Sequence, residues 1–268
     1  MYYNCERRQE LYLLFKKDFD HLDKFQQLLE SFINEHTQLS YDDSDGHKMH
    51  KDIIWFLCGK AVKSFYAAKM LCEQGYATDA AILCRTLIEI LFSILFINEK
   101  DSIERTERFV QYENVVKYKA WNKGMFDYVK PFISDDQSRK LELEDQDVIK
   151  RNYSEAIKKY PEFRSHGLPW TGEGWETIAK RFNLGYLYTI IYTYLSYFIH
   201  PTGAIFDHYV TFPNDSDAST SIGVSNKFIT TATKTLMAVM YHVLSEFNST
   251  FSVGRENELQ DFDRSLSG

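Results

Sequence analysis

The sequence predicts an all-α fold, a helical bundle with long antiparallel helices and a charged helical excursion around residues 134–160. Three observations carry that expectation. Glycine and proline are scarce, 12 and 5 in 268 residues, where average usage is about 7% and 5%. Hydrophobic residues make up 44% of the chain, and 20 Phe and 18 Tyr supply bulk for a core. Apolar residues also recur at spacings of three and four along most of the chain, which is the period of a helix with one buried face.

From Glu6 to about Gln38, Leu11, Leu14, Phe15, Leu22, Phe25, Leu29 and Phe32 form such a stripe. Asp18 interrupts it and requires a partner residue or a gap filled by solvent. Polar residues 40–46 read as a loop, and Ile54, Leu57, Ala61, Phe65, Ala68 and Leu71 mark a second helix that ends at Gly75. A third opens at Thr78 or Asp79 and runs to about Asn98. It is apolar on every side except at Arg85 and Glu89. Such a helix is central in a bundle or spans a bilayer. Spanning would cost about 2.5 to 3.5 kcal/mol for each charge, so the central position and no membrane are expected.

Asp101 and Glu104 resemble a capping box and start a fourth helix through Trp121. The stretch from Ser134 to about Tyr160 is charged, with few apolar anchors, and reads as an exposed helical excursion. Two Pro and three Gly break the chain from Pro161 to Trp175. Helices are predicted over Trp175–Phe182, over Gly185–His200 up to Pro201, and through Phe228, Leu236, Val239, Val243 and Phe247. Residues 212–223 read as loop. The expected organisation is one helical domain over 1–253, its core at about 47–250, with 254–268 a flexible tail.

A net charge of −7 and a pI near 5.7 argue against a broad basic coat for nucleic acid. The first residues lack the apolar core of a signal peptide. The four cysteines include no C-x-x-C pair, so a reducing cytoplasm and no zinc are expected. His47 and His50 share a helical face, but no matching ligands follow, and no metal or cofactor is predicted. Motifs of phosphate loops, serine hydrolases and zinc proteases are absent.

Arg85 and Glu89, four residues apart, share one face of the apolar third helix, where an unpartnered charge would cost several kcal/mol. Either they form a structural ion pair, or the arginine faces a cleft and binds an anion such as phosphate. Tyr188, Tyr192, Ser196 and His200 form a ladder on one helix face. His200, in the last turn before Pro201, sits where the dipole favours imidazolium and where acid–base work near neutrality is feasible. The same position suits a histidine that merely caps carbonyls. Gly172, between Trp170 and Trp175, offers backbone N–H groups to an anion, or is simply packing.

The order Arg85-x-x-x-Glu89, Tyr112, Trp170-x-Gly172 and Tyr192-x-x-x-Ser196-x-x-x-His200-Pro201 resembles an uncharacterised prokaryotic all-helical family, similar to the HEPN superfamily and to abortive-infection proteins. The resemblance covers roughly Ile53 to Pro201. It implies a helical bundle linked to phage defence or toxin–antitoxin modules, and a metal-independent ribonuclease that uses an arginine and a histidine, commonly at a dimer interface. Here the pair must be assembled in space from Arg85 and His200. In that reading Arg85, Glu89, Ser196 and His200 are catalytic, and Tyr112, Trp170, Gly172, Tyr188 and Tyr192 hold the substrate. The alternative is a non-catalytic binding or sensor module for a small anionic ligand or a partner protein. A homodimer burying the stripe of the first or last helix is plausible on either reading.

Overall fold

A computed structural model describes residues 5–36, 47–124, 146–165, 167–199, 203, 206–214, 217–220 and 224–266. Its helices are α1 (Cys5–Leu14), α2 (Lys16–His36), α3 (Lys48–Glu73), α4 (Ala77–Glu99), α5 (Ser102–Asn122), α6 (Gln146–Lys159) and α7 (Trp175–Arg181). A π-helical turn (Leu187–Tyr192) then leads into α8 (Thr193–Ile199), followed by α9 (Phe206–Tyr209), α10 (Ile229–Phe251) and α11 (Glu256–Leu266). The fold is the all-α bundle the periodicity predicts, with one short β-hairpin.

α4 explains the architecture. It packs against α3, α5, α7, the π turn, α8 and α10, while α3 and α10 also pack on each other. Leu87, Ile88, Leu91, Phe92 and Ile94 are fully buried, and each such side chain gains about 1.5 to 3 kcal/mol over exposure. α4 is long and apolar enough to cross a membrane, and 72% of its most apolar stretch is covered by protein.

The first predicted helix is two, α1 and α2, interrupted at Phe15. The i to i−4 bonds from Phe15 to Leu11 and from Phe19 to Phe15 persist across the break. Residues 37–38, to which that helix was expected to run, lie outside the described residues. Asp18 has its partner, because the Thr230 hydroxyl on α10 donates to its carboxylate at 2.7 Å. Leu11, Leu22, Phe25, Leu29 and Phe32 of the first stripe are buried within the chain, as is the stripe of α10, whereas Leu14, expected on the same buried face, is 65% exposed.

Gly75 ends the α3 segment in the left-handed region, φ +79°, where a Cβ would stand 2.4 Å from Val224 and 2.8 Å from Leu11. α4 starts one residue before Thr78. Its N-cap is Tyr76, whose carbonyl accepts from the N–H groups of Asp79 and Ala80. α5 starts at Ser102 as predicted, yet Asp101 is left-handed and its side chain makes no capping bond. Its carbonyl, not its carboxylate, receives the Arg105 N–H.

Residues 134–145 of the expected excursion lie outside the described residues. The rest forms α6, which lies on α5. Ile149, Ala156 and Ile157 are buried there, and Ala156 and Ile157 join Val115, Tyr160 and Phe163 in a second small core, so this helix is anchored rather than exposed. Residues 212–223, read as loop, contain most of an antiparallel hairpin, β1 (Val210–Asn214) with β2 (Asp217–Thr220). Its register shifts between Thr211 and Asn214, where Pro213 has no N–H to donate. The expected flexible tail is also corrected. Residues 256–266 are α11, with Leu259 buried and Phe262 4.9 Å from the ring of Phe25. Its few apolar residues fall on one face, which a reading by average polarity misses.

Candidate functional site

Arg85 leaves α4 toward the helix that carries Tyr192 and Ser196, and the three meet Glu89 in a closed set of bonds. Arg85 Nη2 donates to Tyr192 Oη at 2.7 Å and lies 3.1 Å from Glu89 Oε1, while Tyr192 Oη donates to the same carboxylate oxygen at 2.8 Å. Arg85 Nε donates to Ser196 Oγ at 3.2 Å. Its guanidinium carbon also lies 4.6 Å from the centroid of the Tyr192 ring, a cation–π contact. Tyr188 stacks on Tyr192 at 5.1 Å and 18°. Four of the predicted catalytic and binding residues therefore form one cluster, with Tyr188 as its flank.

The helix that supplies this face is not regular. Leu187–Tyr192 is a π turn, in which the Thr193 N–H donates to the Tyr188 carbonyl five residues back. Such turns are rare and concentrate at functional sites. Tyr192 is buried, whereas Arg85 and Glu89 keep 27% and 35% of their side chains exposed. The pair is thus at the bundle surface rather than fully enclosed.

Burial raises the Tyr192 phenol well above its ordinary range, and its bond to Glu89 adds to the shift while Arg85 opposes it. Tyr192 keeps its proton at neutral pH and donates it in the hydrogen bond to Glu89. Ser196 spends its own proton on the Tyr192 carbonyl at 2.8 Å, so its oxygen is an acceptor that orients Arg85. Among the described residues no acceptor takes Arg85 Nη1, and an anion arriving there would complete the guanidinium fork. His200, one helical turn after Ser196 in sequence, lies outside the described residues.

The other expected substrate residues are elsewhere. Trp170 is buried edge-on against Phe96 and Phe109, at 5.3 and 4.9 Å. Phe96 is eleven positions from Arg85, or roughly 16 Å along α4. Tyr112 packs against Phe163 at 5.1 Å. Gly172, φ +77°, has no room for a side chain because its Cβ would stand 2.3 Å from Arg108 Nη2. These residues enclose an arginine network that sequence reasoning missed. Arg108 donates to the Trp170 carbonyl at 2.9 Å and pairs with Glu162. Arg105, only 7% exposed, pairs with Glu99 at 2.7 Å, and Arg181 links Glu99 to Glu173 at 2.8 and 2.7 Å. On the amphipathic α5, Arg105 and Arg108 look like ordinary surface charges. The only available signal was their spacing of three beside Phe109.

His50 Nε2 is 2.8 Å from Asn98 Oδ1, and Asn98 donates to Glu246 at 2.7 Å and to Thr250 at 3.0 Å. His50 thus joins a polar lattice between α3, α4 and α10. Among the described residues no group of three or more His, Cys, Asp or Glu gathers as metal ligands. Cys58, Cys72 and Cys84 are buried free thiols, and burial pushes Cys72 up to about 12.

Residues 51–218 match a family of unknown function, DUF5677. That span holds the whole Arg85 cluster. No curated protein and no solved structure matches the chain.

Proposed function

Since the chain belongs to DUF5677, a family defined without an activity, the reading rests on the site, and we propose a HEPN-like, metal-independent ribonuclease effector of a prokaryotic defence or toxin–antitoxin system. The observation that carries it is the bond from Arg85 to Ser196, which brings the guanidinium to a residue four positions before His200 in sequence. Arg85 binds the scissile phosphate through its open Nη1 edge and stabilises its added charge in the transition state. Glu89 and Tyr192 hold the guanidinium in place. The 2′-oxygen attacks phosphorus and the bond to the 5′-oxygen breaks, giving a 2′,3′-cyclic phosphate and a 5′-hydroxyl; His200 takes the 2′-hydroxyl proton or protonates the leaving 5′-oxygen, and water carries the other proton. The protein works in the cytoplasm, away from membranes. Its homodimer uses the exposed face of the site helix, where Tyr186 and Ile190 are 51% and 64% accessible.

A second reading is favoured by Glu89, which already neutralises Arg85 without any ligand. An anion would compete with that carboxylate, which suits a reversible sensor of a small anionic ligand, coupled to a partner protein of the same defence system. The deciding experiment incubates the protein with total RNA and transfer RNA in EDTA, beside Arg85→Ala and His200→Ala. Cleavage lost in both variants, with helical circular dichroism retained, supports the nuclease. Undiminished cleavage by both, or none by any of the three, rejects it. In the latter case a phosphate-dependent rise in Tm that Arg85→Ala loses supports the sensor.

A further inference from the structure

Between α2, α3 and α10 lies a half-open cavity of about 220 Å³ that shares no residue with the Arg85 cluster. Phe32 from α2, Trp55 and Val62 from α3, and Val243 and Phe247 from α10 form its walls. The polar groups among its lining side chains are the Cys58 thiol, Lys63 and the indole N–H of Trp55, and almost all of the surface it presents is apolar. A trapped water needs two to four polar partners, and these walls do not supply them. The space suits carbon.

Two features of α3 define how it is entered. Gly59 is exposed at the lining, and a Cβ built on it meets nothing within 4 Å. Glycine is a poor choice inside a helix of 26 residues, and no close backbone contact here requires it. Its effect is to leave the mouth open. One turn later Lys63 is exposed at the same lining, with no ion pair among the described residues. An apolar chamber with a single cation at its rim is complementary to an amphiphile with an anionic head.

The geometry points to a binding site for a medium-chain carboxylate, its tail in the cavity and its head on Lys63. A cavity of roughly 150 Å³ holds the six carbons of benzene, so this one takes roughly eight or nine. The site is independent of the nuclease and sensor readings.

Calorimetric titration of the full chain with octanoate, hexanoate and 1-octanol tests it. Octanoate binds, and hexanoate binds more weakly by about fourfold for each missing methylene. Lys63→Gln weakens octanoate about threefold and leaves octanol unchanged. Gly59→Leu, which fills the mouth, abolishes binding while circular dichroism stays helical. Failure of the unaltered protein to bind octanoate overturns the proposal without reference to any variant. Octanol binding as tightly as octanoate overturns the carboxylate. Full binding by a folded Gly59→Leu overturns the location.

Discussion

Tyr192 connects the arginine to the acid, accepting from one and donating to the other. Replacing it with Phe keeps the ring over Arg85 and removes both bonds. Tyr192→Phe should therefore cost about 1 kcal/mol in urea unfolding, since the groups left behind are partly hydrated. It should also impair any phosphate binding that depends on a fixed Arg85. His242 offers a second test at this scale. Burial holds its imidazole below the usual 6.5, with Asp263 opposing, and it lines a pocket whose charged and titratable members include Asp18, His21, Lys234 and Asp263. The native state thus prefers neutral His242, and as pH falls the unfolded chain takes up the proton first. Its contribution is complete above 6.5 and is lost as pH drops from there toward the lowered native value. His242→Gln should flatten that part of a stability–pH profile. At residue level the sequence revealed Arg85, Glu89 and the Tyr192–Ser196 face, because two charges on an all-apolar helix are anomalous by composition alone. It hid Arg105 and Arg108, whose partners, the Phe96 carbonyl and Glu99 for one and the Trp170 carbonyl and Glu162 for the other, come from other segments of the chain.

Helices were legible wherever the apolar stripe was continuous, as in α3, α4, α5 and α10. They were less so where a few apolar residues carry the packing. α11 has Leu259 and Phe262 among charges, and Arg255 just before it lies 4.3 Å from the Phe32 ring. Truncation after Val253 should uncover Phe25 and lower stability by on the order of 3 kcal/mol, read as a shift in the urea midpoint. A frayed tail would leave that midpoint unchanged. The π turn was equally invisible, because a spacing of four between Tyr188, Tyr192 and Ser196 fits a regular helix as well. Its added residue per turn appears only when the backbone bonds are known.

Across the molecule α4 separates the Arg85 cluster near its start from two arginine pairings near its end, Arg105 with Glu99 and Arg108 with Glu162. They share no hydrogen-bond partner. The stability losses of Arg85→Ala and Arg108→Ala should therefore add to within about 0.5 kcal/mol in the double variant, and a larger discrepancy would mean that α4 transmits strain between them. The bundle class and the central place of α4 were legible because they follow from amphipathicity alone. The splitting of the expected site into two was not, since order along the chain says little about distance in space. The all-round apolar surface of α4 also has a bearing on synthesis. α3 and α5 can cover it early, but α10 is translated roughly 130 residues later, on the order of ten seconds at ribosomal rates. For that interval a nascent chain presents the side of α4 that α10 covers, so chaperone dependence should be set by the delay before α10 emerges rather than by the stability of the finished protein.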